Sequence, residues 1–266
     1  MIIRDINIDK GSWLSEVMEE IPTNTILNKV MTGCGATTLE INAARHSIII
    51  EPNVPVIIGK KAQHDFLFAV YEGTTREDVK AYLAGEEDGY RKIITTPEGF
   101  DKKVLPAMYE SGIAVYEEYF LLFDECEKPI QDVGYRGDIY LPVEDFFKFK
   151  GKAMVSATPI IPSDPRFEEQ GFEMLCIVPT YDYCKELTVV VTNNTVHVLR
   201  KLLERYRKAG EKVCIFFNST DATLSLIQTL KLQERSKVFC SEKSVRKLKR
   251  EGFAAVSDNL SELAEV

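Results

Sequence analysis

No run of apolar residues in this chain of 266 approaches the ~18 needed to cross a bilayer, so no membrane association is expected. The first residues, Met1-Ile2-Ile3-Arg4-Asp5, have neither a signal-peptide core nor transit-peptide character. The six cysteines (Cys34, Cys126, Cys176, Cys184, Cys214 and Cys240) are scattered, with no C-x-x-C pair. That spacing argues against a disulfide framework or a zinc site, and the expected compartment is a reducing cytoplasm. Histidine is scarce: His46, His64 and His197 show neither metal-ligand spacing nor a Ser/His/Asp order, so they read as surface or satisfied core residues. An excess of positive charge is also missing. The net charge of −8 excludes a globally basic nucleic-acid coat but leaves a local basic track open, because binding follows the local field. There is no internal repeat of solenoid period and no low-complexity segment.

What is present is an ordinary globular composition, 45% hydrophobic and 28% charged, at a length that fits two domains or one domain and part of another. Short β-branched or aromatic runs at 26–31, 47–51, 66–71, 91–95, 119–123, 152–156 and 173–178 alternate with helical patterns. Ser12 is placed to cap a helix carrying Trp13, Leu14, Val17 and Met18. Thr75 is placed to cap another, and Pro97-Glu98 opens a third. This β–α alternation predicts an α/β fold, a parallel sheet with helices on both faces, over residues 1–180. A second α/β run over 186–266 predicts strands at 187–191, 213–217 and 237–240. The helices between them are expected at 193–209 and 219–230, with a basic one after Ser241. The boundary falls in 178–186.

Three segments carry chemistry. Thr32-Gly33-Cys34-Gly35-Ala36-Thr37-Thr38 follows an apolar run, Ile26-Leu27-Asn28-Lys29-Val30-Met31. Gly33 and Gly35 can take positive φ and bring backbone N–H groups to an anion, and Thr37 holds the position whose hydroxyl serves Mg²⁺. Alone, the Gly-x-Gly turn fits a tight strand-to-helix connection equally well. Tyr119-Phe120-Leu121-Leu122-Phe123 runs into Asp124-Glu125-Cys126-Glu127, an apolar strand ending in an acidic pair. Such an aspartate holds Mg²⁺ and such a glutamate polarises water; an acidic helix start has the same composition. Met154-Val155-Ser156-Ala157-Thr158-Pro159 ends a third strand.

Taken in order, these segments resemble the motifs of the superfamily-two helicases, the DEAD-box and DEAH-box relatives. Thr32–Thr38 is similar to motif I and Asp124–Glu127 to motif II. Ser156, Ala157 and Thr158 are similar to motif III, which in the family couples nucleotide turnover to nucleic acid. Ile50-Glu51-Pro52-Asn53 sits where motif Ia falls, and Thr95-Thr96-Pro97-Glu98-Gly99-Phe100 resembles motif Ib. Ile215-Phe216-Phe217-Asn218-Ser219 resembles motif IV of a second RecA-like domain. The resemblance spans roughly residues 20–240. It implies a P-loop (RecA-like) domain followed by part of a second, with ATP and Mg²⁺ as cofactors and DNA or RNA as partner. It assigns Asp124 and Glu125 as catalytic, Thr37 and Asp124 to the metal, and Thr32, Gly33, Cys34, Gly35, Ala36, Thr37 and Thr38 to nucleotide. Pro52, Thr96, Pro97, Glu98 and Gly99 are assigned to nucleic acid.

The departures are equally specific. Ala36 stands where motif I has its lysine, and neither an adenine-reading glutamine motif nor motifs V and VI, with their γ-phosphate arginine, can be found. A missing C-terminal domain or a larger complex is therefore expected. Lys29 is expected to face away along its strand; Lys60, Lys61 and Lys128 are further cations, expected on the surface. Three functions stay open: a helicase- or translocase-like NTPase with weak or no hydrolysis, an inactive pseudo-helicase that binds nucleic acid or protein, and another P-loop motor subunit. The cation-rich stretch 231–250, opposed only by Glu234 and Glu242, reads as a phosphate-contacting face or as a solvated helix.

Overall fold

The computed structural model describes residues 1–85, 89–126, 141–159, 161–183, 188–259 and 263. The chain divides into two compact units, Met1–Glu186 and Leu187–Val266.

The first unit is built on eight parallel strands: β1 (Ile2–Ile8), β2 (Thr25–Asn28), β3 (Ser47–Ile50), β4 (Phe68–Val70), β5 (Lys92–Thr95), β6 (Phe120–Asp124), β7 (Gly151–Ser156) and β8 (Glu173–Pro179). Their spatial order is β1-β8-β2-β7-β6-β3-β5-β4, so consecutive strands are joined by crossovers. The apolar runs explain why both faces must be covered. In β3, Ile48 and Ile50 enter one hydrophobic cluster and Ile49 the other. In β6, Leu121 and Phe123 go one way and Phe120 and Leu122 the other. A strand buried on both faces needs a helical layer on each side. The layers come from helices such as α1 (Ala36–Asn42), α2 (Val54–Gln63) and α3 (Arg76–Ala84). Thr75 caps α3, accepting the Asp78 N–H, and Pro97–Gly99 opens a helical stretch that reaches Glu110.

Three expectations are corrected. Ser12 caps no helix: Leu14–Glu16 form only a short 3₁₀ turn with Trp13 at its cap, because the Leu14 N–H is bonded to the Cys34 carbonyl and the Glu16 carboxylate folds back on the Trp13 N–H. Residues 188–191 and 213–217 form no strand. Val191 is 95% and Phe216 92% exposed, and the described sheet of the second unit is a two-stranded ladder of β9 (Val238–Phe239) and β10 (Val256–Ser257). A strand with no neighbour leaves its backbone groups unpaired, and two short strands give these runs nowhere to dock. Helices Thr195–Lys208, Thr220–Leu230 and Glu242–Arg250 do form; the last two share a small core of Ile227, Val238, Val245, Leu248, Phe253 and Val256, and Thr195–Lys208 buries no residue. Ile2–Ile8 adds an edge strand that no sequence pattern announced.

Candidate nucleotide site

Three parallel strands end together. β2 ends at Asn28, beside Ser156 at the end of β7, and β6 ends at Asp124, beside Val155. β7 therefore lies between the strand that enters the glycine loop and the acidic strand. The backbones of β2 and β6 are two strand spacings apart, about 10 Å. Only a long side chain bridges that gap.

Lys29, the residue after β2, makes the bridge. Its Nζ lies 3.1 Å from Asp124 Oδ1 and 3.0 Å from Glu125 Oε1, and the residue is 8% exposed. The expectation that Lys29 faces away is thus overturned, and the backbone shows why. The Lys29 N–H donates to the Ser156 carbonyl, and the Val30 N–H donates to Asn28 Oδ1. The Met31 N–H then turns back on the Lys29 carbonyl, closing a three-residue turn around Val30 at φ 53°. Positive φ is strained for a β-branched residue. Lys29 lies two residues after Leu27, and Asp124 two after Leu122, in the same hydrophobic cluster, so alternation itself puts both side chains on one face, and the turn ends the strand just past Lys29. Burial alone would lower the pKa of its ammonium. The charge of Asp124 and the hydrogen bond that the ammonium donates to Glu125 outweigh this and hold it above the usual lysine range.

Asp124, 1% exposed, uses its second oxygen for Thr37, whose Oγ1 donates to Oδ2 at 2.5 Å. One carboxylate is thus held between the Lys29 ammonium and the Thr37 hydroxyl. Glu125 follows with φ 51°, another strained non-glycine residue, and its N–H donates to Asp124 Oδ1. Glu51, at the end of β3, is the third carboxyl here. Burial first, and the charge of Asp124 second, push it up to about 7, against two hydrogen bonds from Asn53.

The loop has positive φ at both glycines, 82° at Gly33 and 91° at Gly35. Thr32 and Gly33 are exposed, Cys34 is buried, and Gly35 precedes the first residue of α1. A side chain on Gly35 would also meet the Trp13 ring at 3.0 Å. Ala36 is 4% exposed and packs in the hydrophobic cluster that includes Leu39 and Ile57. Burial raises the Cys34 thiol, while the nearby Lys29 charge acts in the opposite sense. Thr38 lies outside the carboxylate cluster and accepts a hydrogen bond from Lys60 Nζ at 2.7 Å. Lys61 reaches only the Asp65 carbonyl, and Lys128 and Glu127 lie outside the described residues.

Ser156 joins the site through the backbone bond from Lys29, and its Oγ accepts the Thr158 N–H; Ala157 is half-buried and Thr158 exposed. Pro52, Thr96 and Glu98 share the wall of a separate open pocket of about 430 Å³, with Asn53, Val54, Pro55 and Glu72. Pro97 and Gly99 are buried below it, and the Gly99 N–H already donates to Thr96 Oγ1. Among the described residues there is no group of three or more His, Cys, Asp or Glu side chains suited to a metal ion. Magnesium is commonly held by one or two carboxylates with substrate phosphates supplying the rest, and Asp124 with Thr37 suits that pattern. Among the described residues no helix is long and apolar enough to cross a membrane.

Comparison with solved structures places this fold. The chain is similar to MrfA, a DUF1998 helicase, with a TM-score of 0.52 at 14% identity over 85% of this chain and 39% of that one. Against MrfA bound to DNA and AMPPNP the TM-score is 0.50 at 14% identity, over 87% of this chain and 38% of that one. A DEAD box protein from Methanococcus jannaschii gives 0.40 at 16% identity, covering 88% and 68%. The likeness is one of fold: the eight-stranded parallel sheet with helices on both faces is RecA-like and is shared with part of the MrfA helicase structures. This chain spans about two fifths of the MrfA chains it matches. No protein-family model and no curated protein matches the sequence.

Proposed function

We propose that this chain is the nucleotide-binding part of a helicase- or translocase-type motor that binds MgATP at residues 32–38 and DNA or RNA on the same unit. The observation that carries the reading is the grip on Asp124, with the Thr37 hydroxyl on one carboxylate oxygen and the Lys29 ammonium on the other. Two motifs far apart in sequence meet there as a phosphate-loop hydroxyl and a metal-binding aspartate must.

The residues suit the cofactor. The exposed backbone at Thr32 and Gly33, with positive φ at Gly33 and Gly35, leaves a concave turn for phosphate oxygens. Thr37 and Asp124 are the pair to hold Mg²⁺, which when bound neutralises phosphate charge. Glu125, less buried than Asp124, is the residue to orient a water. Ser156, bonded through its carbonyl to the Lys29 N–H, ties the Ser156-Ala157-Thr158 segment to the loop strand, and movement of one bears on the other. Nucleic acid is assigned to Pro52 and Thr96–Gly99, where backbone contacts are expected because Glu72 and Glu98 repel phosphate from the pocket wall. Turnover by this chain alone is expected to be slow. The two-stranded ladder of the second unit is a poor mount for the arginine that reaches γ-phosphate in related motors.

The test is MgATP binding by calorimetry, with hydrolysis measured at several salt concentrations with and without single-stranded DNA and RNA. Nucleotide binding with salt-sensitive nucleic-acid binding supports the reading. A chain that binds no nucleotide reduces residues 32–38 to a structural turn and ends it.

A further inference from the structure

We propose that Lys29 is the phosphate-binding cation of this site, carried on the strand that enters the loop instead of at position 36 within it. The inference rests on reading residues 32–38 as a nucleotide site.

The argument is one of geometry and charge. A triphosphate needs a cation beside the loop, and Ala36 supplies none. Ala36 is packed in the core, so the loop is built without a long side chain at that position. Among the other cations, Lys60 is held on Thr38 and Lys61 on a backbone carbonyl. Lys29 is the ammonium that reaches the oxygens of Asp124 and Glu125, and it shares the Asp124 carboxylate with Thr37. An ammonium and a hydroxyl on one carboxylate lie within a few ångströms of each other, as do a phosphate-loop cation and the hydroxyl that serves its metal. The fold also commits strain to the arrangement. The positive φ at Val30, the Val30 N–H bond to Asn28 Oδ1 and the Lys29 N–H bond to the Ser156 carbonyl fix the Lys29 backbone at the strand end, with its side chain reaching across β7. A buried lysine kept only for solubility or packing needs no such turn. Asp124 and Glu125 neutralise the ammonium, and phosphate oxygens offer the same charge-assisted bonds a short rotation away.

The test uses the unaltered chain and an acyl-phosphate derivative of ATP. A lysine beside the terminal phosphate attacks the acyl carbon. The carbon–oxygen bond to phosphate breaks, ATP leaves, the amine loses a proton, and an amide remains on the lysine. Digestion and mass spectrometry then locate the amide. The expected result is acylation of Lys29, blocked by excess MgATP, together with a fall of about ten- to a hundredfold in MgATP affinity for Lys29→Met, the range of a charge-assisted hydrogen bond. Lys29→Arg is expected to keep most of that affinity. MgATP-protected acylation of Lys60, Lys61 or Lys128 with Lys29 unmodified overturns the proposal while leaving the nucleotide site intact. The same holds if folded Lys29→Met binds MgATP as tightly as the parent. Absence of both labelling and nucleotide binding in the parent chain overturns the site itself. Labelling needs no variant, so a poorly folding Lys29→Met does not blunt the test.

Discussion

Removing Lys29 should cost stability even without nucleotide, through Asp124. The Lys29 and Asp124 side chains are 10% and 2% exposed, against 23% for Glu125. Lys29→Met strands the Asp124 carboxylate in the protein interior with Thr37 and one backbone N–H for company. Breaking a buried pair from one side costs about 3–5 kcal/mol, whereas exposed pairs contribute about 0–1. For a unit of this size, 1 kcal/mol moves the melting temperature by about 2–4 °C, so a drop of roughly 6–20 °C is expected. Asp124→Asn keeps an oxygen for the Thr37 hydroxyl but leaves the ammonium with Glu125 alone. The double variant removes both buried charges and should recover about 2 kcal/mol relative to the sum of the singles. The assay is thermal unfolding followed by circular dichroism at pH 7. A lysine raised above its ordinary pKa contributes fully below about 10.5 and loses that contribution only as pH climbs through the higher folded value, so pH 7 shows the whole effect. Single effects that add to within about 0.5 kcal/mol would show that the ammonium and Asp124 do not interact, and would refute the reasoning.

Two further predictions concern the frame around the site. Lys92 is 2% exposed, donates to the Glu40 carbonyl and Ser47 Oγ, and is pushed by burial down to about 8. A depressed lysine contributes stability that is present above its unfolded pKa and lost as pH falls through the folded one. The parent should therefore gain about 2 kcal/mol over Lys92→Met between pH 7.5 and 10, read as diverging denaturation midpoints; parallel midpoints would contradict it. Gly99 has no room for a side chain, since an added Cβ would lie 2.4 Å from Thr95 Oγ1 and 3.1 Å from the Val70 carbonyl oxygen. Gly99→Ala should lose about 1–3 kcal/mol and displace Thr96 and Glu98, and an unchanged melting curve would show that the turn yields easily.

Why some of this was legible and some was not comes down to particular residues. The β3, β5, β6 and β7 runs are apolar enough on both faces that only a sandwiched parallel sheet can bury them, and the strands form where the pattern lies. The glycines at 33 and 35 announce positive φ, and Thr37 meets Asp124. Lys29 was missed because motif spacing drew attention to position 36, although alternation places it on the buried face of Leu27. A signal was present: an acidic pair at a buried strand end requires a counter-cation, and Lys29 is the one lysine inside the apolar run that leads to the loop. In the second unit the β-branched runs at 188–191 and 213–217 have strand propensity but no strand to pair with, and propensity without a partner is weak. The N-terminal Ile2–Ile8 strand is interrupted by Arg4-Asp5 and Asn7, and in the structure it closes an edge beside β8 with Ile2 and Ile3 exposed.

A structure of the chain with Mg²⁺ and a non-hydrolysable ATP analogue tests the central claim most directly. The account predicts phosphates in the turn of residues 32–38, Thr37 and Asp124 at the metal, and Lys29 Nζ moved from its carboxylates to a phosphate oxygen at hydrogen-bond distance. Phosphates bound there with Lys29 still on Asp124 and Glu125, or held by a different cation, would contradict it.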